Sequence, residues 1–348
     1  MKVGILGFAG SGKTTVFNLL TGLTAQVGPG GDRKPNMGVI KVPDTRIDDL
    51  TRRYNPKKTT YAEVRFVDIA GSSDREKGGL DQALLTHIRD TEALTLVVRA
   101  FESPLLDAAA NPGHELRELE SELLIGDLGV AEKRLERLRK EGKGKEREAV
   151  LLERCLGHLE AQRPLRDLEL SDEEELLLRG FRFLSQKPAL VLVNTSDSAP
   201  TAVPPAVAEY ASAHGLTVMA LCASVEAEVA ELEPDDRLVF LAEYGIAAPA
   251  RDRFVQAAYA LLDLISMFTS GEDEVRAWTV KRGTPAVKAA GKIHSDIEKG
   301  FIRAEVTAYA DLVQYGDEQK VKAAGKLRLE GKDYVVLDGD ICHFRHAS

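Results

Sequence analysis

The chain has 348 residues, 44% of them hydrophobic, and carries 46 Lys and Arg against 55 Asp and Glu for a net charge of −9. That length exceeds one ordinary core and calls for two or three domains, and the acidic balance argues against a protein coated for non-specific nucleic-acid binding, although local basic patches stay open. Cys155, Cys222 and Cys342 stand far apart without a paired spacing, which reads as reduced cytoplasmic thiols and against a disulfide framework or zinc site, and no run of about 18 apolar residues marks a membrane span.

In chain order, Val3, Ile5 and Leu6 read as a short buried strand that runs straight into a glycine-rich turn, so no signal peptide is expected. Gly7-Phe8-Ala9-Gly10-Ser11-Gly12-Lys13-Thr14 fits G-x-x-x-x-G-K-[ST], and from Thr15 a helix opens with Val16, Leu19 and Leu20 on one face. Glycines let successive N–H groups turn inward around an anion, and the helix presents its positive end to the same phosphates. Ala9, Gly10, Ser11, Gly12, Lys13, Thr14 and Thr15 are therefore the expected phosphate contacts. Lys13 supplies a point charge to the β and γ phosphates, and the Thr14 hydroxyl is placed to ligate Mg²⁺. A glycine-rich turn without a ligand is the bland alternative.

Gly22 stops the helix, and residues 23–38 read as a loop able to fold over a γ-phosphate. Val39–Val42 and Glu63–Ile69 look like strands. The second ends in Asp68-Ile69-Ala70-Gly71, where Asp68 is expected to hold a Mg²⁺-bound water and the Gly71 N–H to meet the γ-phosphate. Residues 78–90 suit a helix, and Ala93–Phe101 is a buried strand. From 115 to 185, leucines at helical spacing amid dense charge, interrupted at Glu141-Gly142-Lys143-Gly144-Lys145, predict an antiparallel helical hairpin. Its tip carries Lys133, Arg134, Arg137, Arg139, Lys140, Lys143, Lys145 and Arg147, either a solvated charged face or a partner-binding surface. Pro188–Asn194 and Val218–Ala223 return to buried strands, so the hairpin interrupts an α/β domain with a parallel sheet and helices on both faces. From Glu274 short strands at 275–280, 303–308 and 334–337, with a helix at 286–292, predict a small α+β domain. It holds 13 Lys and Arg against 11 Asp and Glu, a mild positive balance that permits RNA contact.

These residues resemble the YchF or Obg-like ATPase family of translation-factor-class P-loop NTPases. The most specific stretches are Pro35-Asn36-Met37-Gly38-Val39, Val42-Pro43-Asp44, Phe66 to Gly71, His87-Ile88-Arg89-Asp90-Thr91 and the run from Glu274. The resemblance implies a nucleotide domain (1–112 and 186–272), a coiled-coil hairpin insertion (113–185) and a β-grasp TGS domain (273–348). It also implies ATP in preference to GTP, Mg²⁺ as cofactor, and contact with the ribosome or RNA through the hairpin and the TGS domain.

Asn194-Thr195-Ser196-Asp197 sits where GTPases carry N-K-x-D and the family N-x-x-E. The missing Lys favours ATP, whereas Asp197 keeps the carboxylate that pairs with guanine. Cys222, Ala223 and Ser224 match the second base loop. Other positions depart from the family: Gly10 replaces an Asn, Asp32 lies nearest the switch Thr, Ser72 stands where the family has an apolar residue, and Leu106 and Asp107 occupy the region of a family His. His114 is out of register and reads as an exposed helix-start residue. Two readings follow: a slowly hydrolysing nucleotide switch, with GTP specificity as its variant, or a nucleotide-binding ribosome- or RNA-docking module with little hydrolysis.

Overall fold

The computed structural model describes residues 1–25, 36–68, 82–103, 106 and 108–347. Among them the strands are β1 (Lys2–Leu6), β2 (Asn36–Lys41), β3 (Lys58–Thr60), β4 (Glu63–Asp68), β5 (Ala93–Ala100), β6 (Ala189–Thr195), β7 (Thr217–Leu221), β8 (Leu264–Thr269), β9 (Glu274–Lys281), β10 (Phe301–Ala308), β11 (Arg328–Glu330) and β12 (Asp340–His346). The helices that matter for the site are α1 (Lys13–Thr21), α2 (Thr45–Tyr54), α3 (Gln82–Arg89), α4 (Pro112–Lys140), α5 (Arg147–Glu160), α6 (Asp172–Leu178), α7 (Pro205–Ala213) and α8 (Ala223–Glu231). The chain divides into two compact units, Met1–Ile40 with Arg65–Ala257, and Lys41–Val64 with Ala258–Ser348.

The first unit holds a sheet of order β2-β4-β1-β5-β6-β7. β1 runs parallel to β4 and β5, β5 to β6, and β6 to β7. ALTLVVRA and ALVLVNT form β5 and β6 because nearly every residue is apolar and buried, as a central parallel strand covered on both faces requires. Leu116, Leu119 and Leu123 of α4 join the sheet core with Leu94, Leu96 and Val191. Asn111 caps α4, accepting from the His114 N–H, and Pro112 fills the first turn, where a missing N–H costs nothing. The helix then runs 29 residues, about 43 Å. Its distal half shares a second core with α5: Ala131, Leu135 and Leu138 meet Ala149, Leu152 and Cys155. α6 opens with a capping box between Ser171 and Glu174.

In the second unit the sheet order is β11-β10-β12-β8-β9-β3. β10 pairs antiparallel with β11 and β12, β8 antiparallel with β9, and β12 parallel with β8. Ala286, Ala289 and Ala290, on the helix Ala286–Ile293, pack with Ile265, Val306 and Phe344 in its core. Three findings differ from the sequence reading. Residues 41–64, expected with the nucleotide-binding part, group with this unit, because β3 pairs with β9 and Arg46 of α2 donates to Asp338 at 2.8 Å. The unit begins upstream of the expected boundary and includes β8, whose LISMFT lacks the polar alternation that marks a half-exposed strand. The expected strand at 334–337 reduces to an isolated bridge between Pro285 and Val335, and the strand lies at β12 instead. There the buried Asp340 is held by Arg328 and Tyr334, so a polar start conceals a strand.

Candidate functional site

The turn between β1 and α1 is built around glycines, two of them at left-handed backbone positions. Gly10 and Gly12 adopt φ of +80° and +82°. A Cβ on Gly7 would lie 2.6 Å from Ser11 Oγ and 2.7 Å from the Val97 carbonyl; one on Gly10 would lie 2.5 Å from Leu106 Cδ1; one on Gly12 would collide with Asn194 Nδ2. Gly12 is also the N-cap of α1. It offers no side-chain cap, and the first turn contains no acidic residue. The opening N–H groups of α1 are thus left to an anion, and the helix dipole favours one there.

Lys13 and Thr14 begin α1, half-buried, with Ala9 and Gly10 exposed at the turn. Burial pulls the Lys13 ammonium below its usual pKa, and the Asp68 carboxylate opposes that shift. Asp68 ends β4 fully buried; its Oδ2 accepts from Asn36 Nδ2 at 3.3 Å, and its Oδ1 has no hydrogen-bond partner among the described residues. The Ser11 hydroxyl, also buried, has none among them either. A buried carboxylate oxygen with no donor among the described residues, near the Lys13 ammonium, is chemistry that suits a hard cation with oxygen ligands.

On the far side, Asn194 at the end of β6 is buried and bridges two loops. Its Nδ2 donates to the Ser11 carbonyl at 3.1 Å, and its Oδ1 accepts from the Ala223 N–H at 3.2 Å. Cys222 caps α8 without a side-chain bond; its sulfur lies 3.1 Å from Ser224 Oγ. Asp197 stands exposed. The structure therefore gathers residues 7–15, Asp68, Asn194 and 222–224 at the C-terminal ends of β1, β4, β6 and β7. Gly71, Asp32, Ser72 and Asp107 lie outside the described residues. His114 sits exposed at the start of α4, paired with Glu118 at 3.3 Å.

Sequence reasoning misses several supports. Asn36, quoted above only within a family stretch, is the partner of Asp68. Arg99, buried at the end of β5, donates to the carbonyls of Phe101 at 3.2 Å and Ala108 at 2.8 Å, and the Glu115 carboxylate accepts from the Arg99 backbone N–H. The charge in VVRAF is the one available signal, an ion inside an apolar strand. At the hairpin tip, Arg134 pairs with Glu148, Arg137 with Glu141, Arg139 with Glu153, Lys140 with Glu136 and Arg147 with Glu173. Its positive residues are largely balanced within the chain, which weakens any purely electrostatic pull on a polyanion.

The parallel sheet, the glycine turn and the lysine at the helix start define a P-loop NTPase. Residues 2–126 match the family model MMR_HSR1, described as 50S ribosome-binding GTPase, and residues 264–347 match YchF-GTPase_C, described as a protein of unknown function (DUF933). The chain is 41% identical over 356 residues to the "Ribosome-binding ATPase YchF" of Escherichia coli O157:H7, covering 99% of this chain and 98% of that protein. It is 40% identical over 362 residues to the Bacillus subtilis protein of the same name, covering 99% of both. The solved "Schizosaccharomyces pombe YchF GTPase" superposes with a TM-score of 0.87 at 31% identity, covering 99% of this chain and 97% of that one. The chain belongs to the YchF family.

Proposed function

We propose that this protein binds a purine nucleoside triphosphate at the β1–α1 turn, ATP in preference to GTP, hydrolyses it slowly, and associates with the ribosome. The observation that carries this is the α1 N-terminus: a run of N–H groups opened by Gly10 and Gly12, without a capping side chain, beside Lys13 and the buried Asp68. A polyanion would supply what that arrangement lacks. Thr14 and Asp68 would hold Mg²⁺, which when bound neutralises phosphate charge. Lys13 and the loop amides would bind and orient the phosphates, keeping their donors fixed where charge develops. Asn194 would keep the loop and the 222–224 segment in register around the base, and Asp197 would stand at its edge.

ATP is favoured because Thr195 replaces the lysine of guanine readers and because the bacterial relatives are named ATPases. The fission-yeast relative is titled a GTPase, and Asp197 retains a guanine-pairing carboxylate, so GTP is the second reading. Ribosome association rests on the relatives' names, and the hairpin with a TGS-like second unit is the proposed contact. Parallel ATP and GTP titrations, with single-turnover hydrolysis at saturating Mg²⁺, test the proposal. ATP should bind more tightly and yield ADP slowly, and Lys13→Ala should abolish both. A Lys13→Ala protein that turns over either nucleotide at the parent rate refutes it, and binding without any product leaves only a docking module.

A further inference from the structure

Arg99 is the one charged residue in β5, ALTLVVRA, and it is only 3% exposed. A charge in that place is costly unless it is paired and hydrogen-bonded, and the guanidinium finds its partners on the chain that follows. It donates to the Phe101 carbonyl at 3.2 Å and to the Ala108 carbonyl at 2.8 Å, and its Nε lies 3.8 Å from Oε1 of the buried Glu115. Leu106 stands between those two carbonyls in sequence, its N–H donating to the Ser103 carbonyl at 3.2 Å. β5 and this continuation back the phosphate turn at three points. A Cβ on Gly7 would meet the Val97 carbonyl at 2.7 Å, one on Gly10 would meet Leu106 Cδ1 at 2.5 Å, and one on Gly12 would lie 3.9 Å from Phe101 Cε1. On β6, the register partner of Arg99 is Asn194, which holds the Ser11 carbonyl of the same turn.

We propose that Arg99 is a positioning residue for the phosphate site: by holding the carbonyls of Phe101 and Ala108 it keeps Leu106 seated on Gly10, and so keeps the N–H groups of the turn aimed at the phosphates of a nucleoside triphosphate. This rests on the nucleotide reading above. Gly10 and Gly12, at φ of +80° and +82°, hold a conformation that glycine permits and does not enforce. Such a turn has other shapes open to it, and ordering it on binding weakens affinity. A side chain seated on Gly10 from outside removes those shapes before the ligand arrives. A guanidinium suits the task, because its donors are fixed in one plane and span two carbonyls, which a single ammonium on a flexible stem does not. Charge balance for Glu115 alone would ask only for a cation.

The test titrates a fluorescent ATP analogue with Mg²⁺ into the full chain and follows the urea midpoint of each variant. Arg99→Lys keeps a cation beside Glu115 and loses the grip on two carbonyls; Leu106→Ala keeps Arg99 and removes the contact on Gly10. Each should raise the dissociation constant about tenfold, the equivalent of about 1.4 kcal/mol. Leu106→Ala, at a half-buried position, should do so with its midpoint near the parent's. Because the two act through one contact, the double variant should bind no more than about twofold more weakly than the worse single one, where independent effects would multiply to about a hundredfold. Leu106→Ala with the parent's affinity overturns the proposal whatever Arg99→Lys does. So does an Arg99→Lys protein that binds like the parent, which reduces Arg99 to the counter-charge of Glu115, and so does a double variant whose effects multiply. A parent that binds no nucleotide overturns instead the reading on which the proposal stands.

Discussion

Asn194→Ala is the sharpest probe of the site, because one buried amide joins the phosphate turn to the segment that opens α8. The substitution removes two buried hydrogen bonds, at 3.1 and 3.2 Å, and leaves the Ser11 carbonyl and the Ala223 N–H without those partners. Each orphaned buried group costs about 1–3 kcal/mol, so a total of about 2–6 kcal/mol is expected for the two. Part appears as lost stability and part as lost affinity, since both loops must be in register to receive a nucleotide. Urea unfolding followed by far-ultraviolet circular dichroism, together with titration of a fluorescent ATP analogue, reads the two parts. The midpoint should fall, and the dissociation constant should rise tenfold or more, tenfold being about 1.4 kcal/mol. Asn194→Asp, which keeps the acceptor for Ala223 but sets a buried carboxylate oxygen against the Ser11 carbonyl, should lower the midpoint at least as far as Asn194→Ala. An Asn194→Ala protein with the parent's midpoint and affinity would refute the assignment of Asn194 as the tie.

Gly12→Ala combines a left-handed φ of +82° with a collision against Asn194, whereas a Cβ at Gly22, at +71°, meets nothing within 4 Å among the described residues. The second should cost only backbone strain of about 1–2 kcal/mol, and the first should cost more and abolish nucleotide binding, both by urea midpoint and titration. His158 is buried on α5, with Nε2 3.1 Å from the Pro164 carbonyl, and burial lowers its pKa below the usual value of 6.5. Its folded pKa being depressed, the unfolded chain takes up the proton first, so stability is full above pH 6.5 and falls as the pH drops toward the folded value. The parent's urea midpoint should decline from pH 7 to pH 5, and His158→Gln should flatten that decline. Burial pushes the Cys155 thiol up to about 11 and the Cys342 thiol further. With Cys222 also buried, a thiol-specific chromogenic reagent should react slowly with the native protein and find three thiols once it is unfolded.

What the sequence by itself determined is local. A run of N–H groups around an anion demands glycine at positions whose φ is positive, a lysine one residue later and a helix immediately after, so Gly7 to Thr15 is legible in nine consecutive residues. β5 and β6 are equally plain, because a strand covered on both faces must be apolar throughout. The alternation of such strands with helices gives the parallel sheet, and the leucine spacing beyond Leu116 gives long helices.

Only the tertiary structure decided which distant groups meet. Asn194 reaches Ser11 across 183 residues, and Arg89 reaches Asp127 across 38. No short window carries such pairs, because burial strengthens a hydrogen bond without requiring any spacing. The same reason moves residues 41–64 to the second unit: three residues of β3 find an edge on β9, and Arg46 finds Asp338, 292 residues away. β12 escapes notice because its buried acid, Asp340, is neutralised by Arg328 and Tyr334, which only the folded chain places beside it. Periodicity records which face of an element is covered, and long-range pairing decides what covers it.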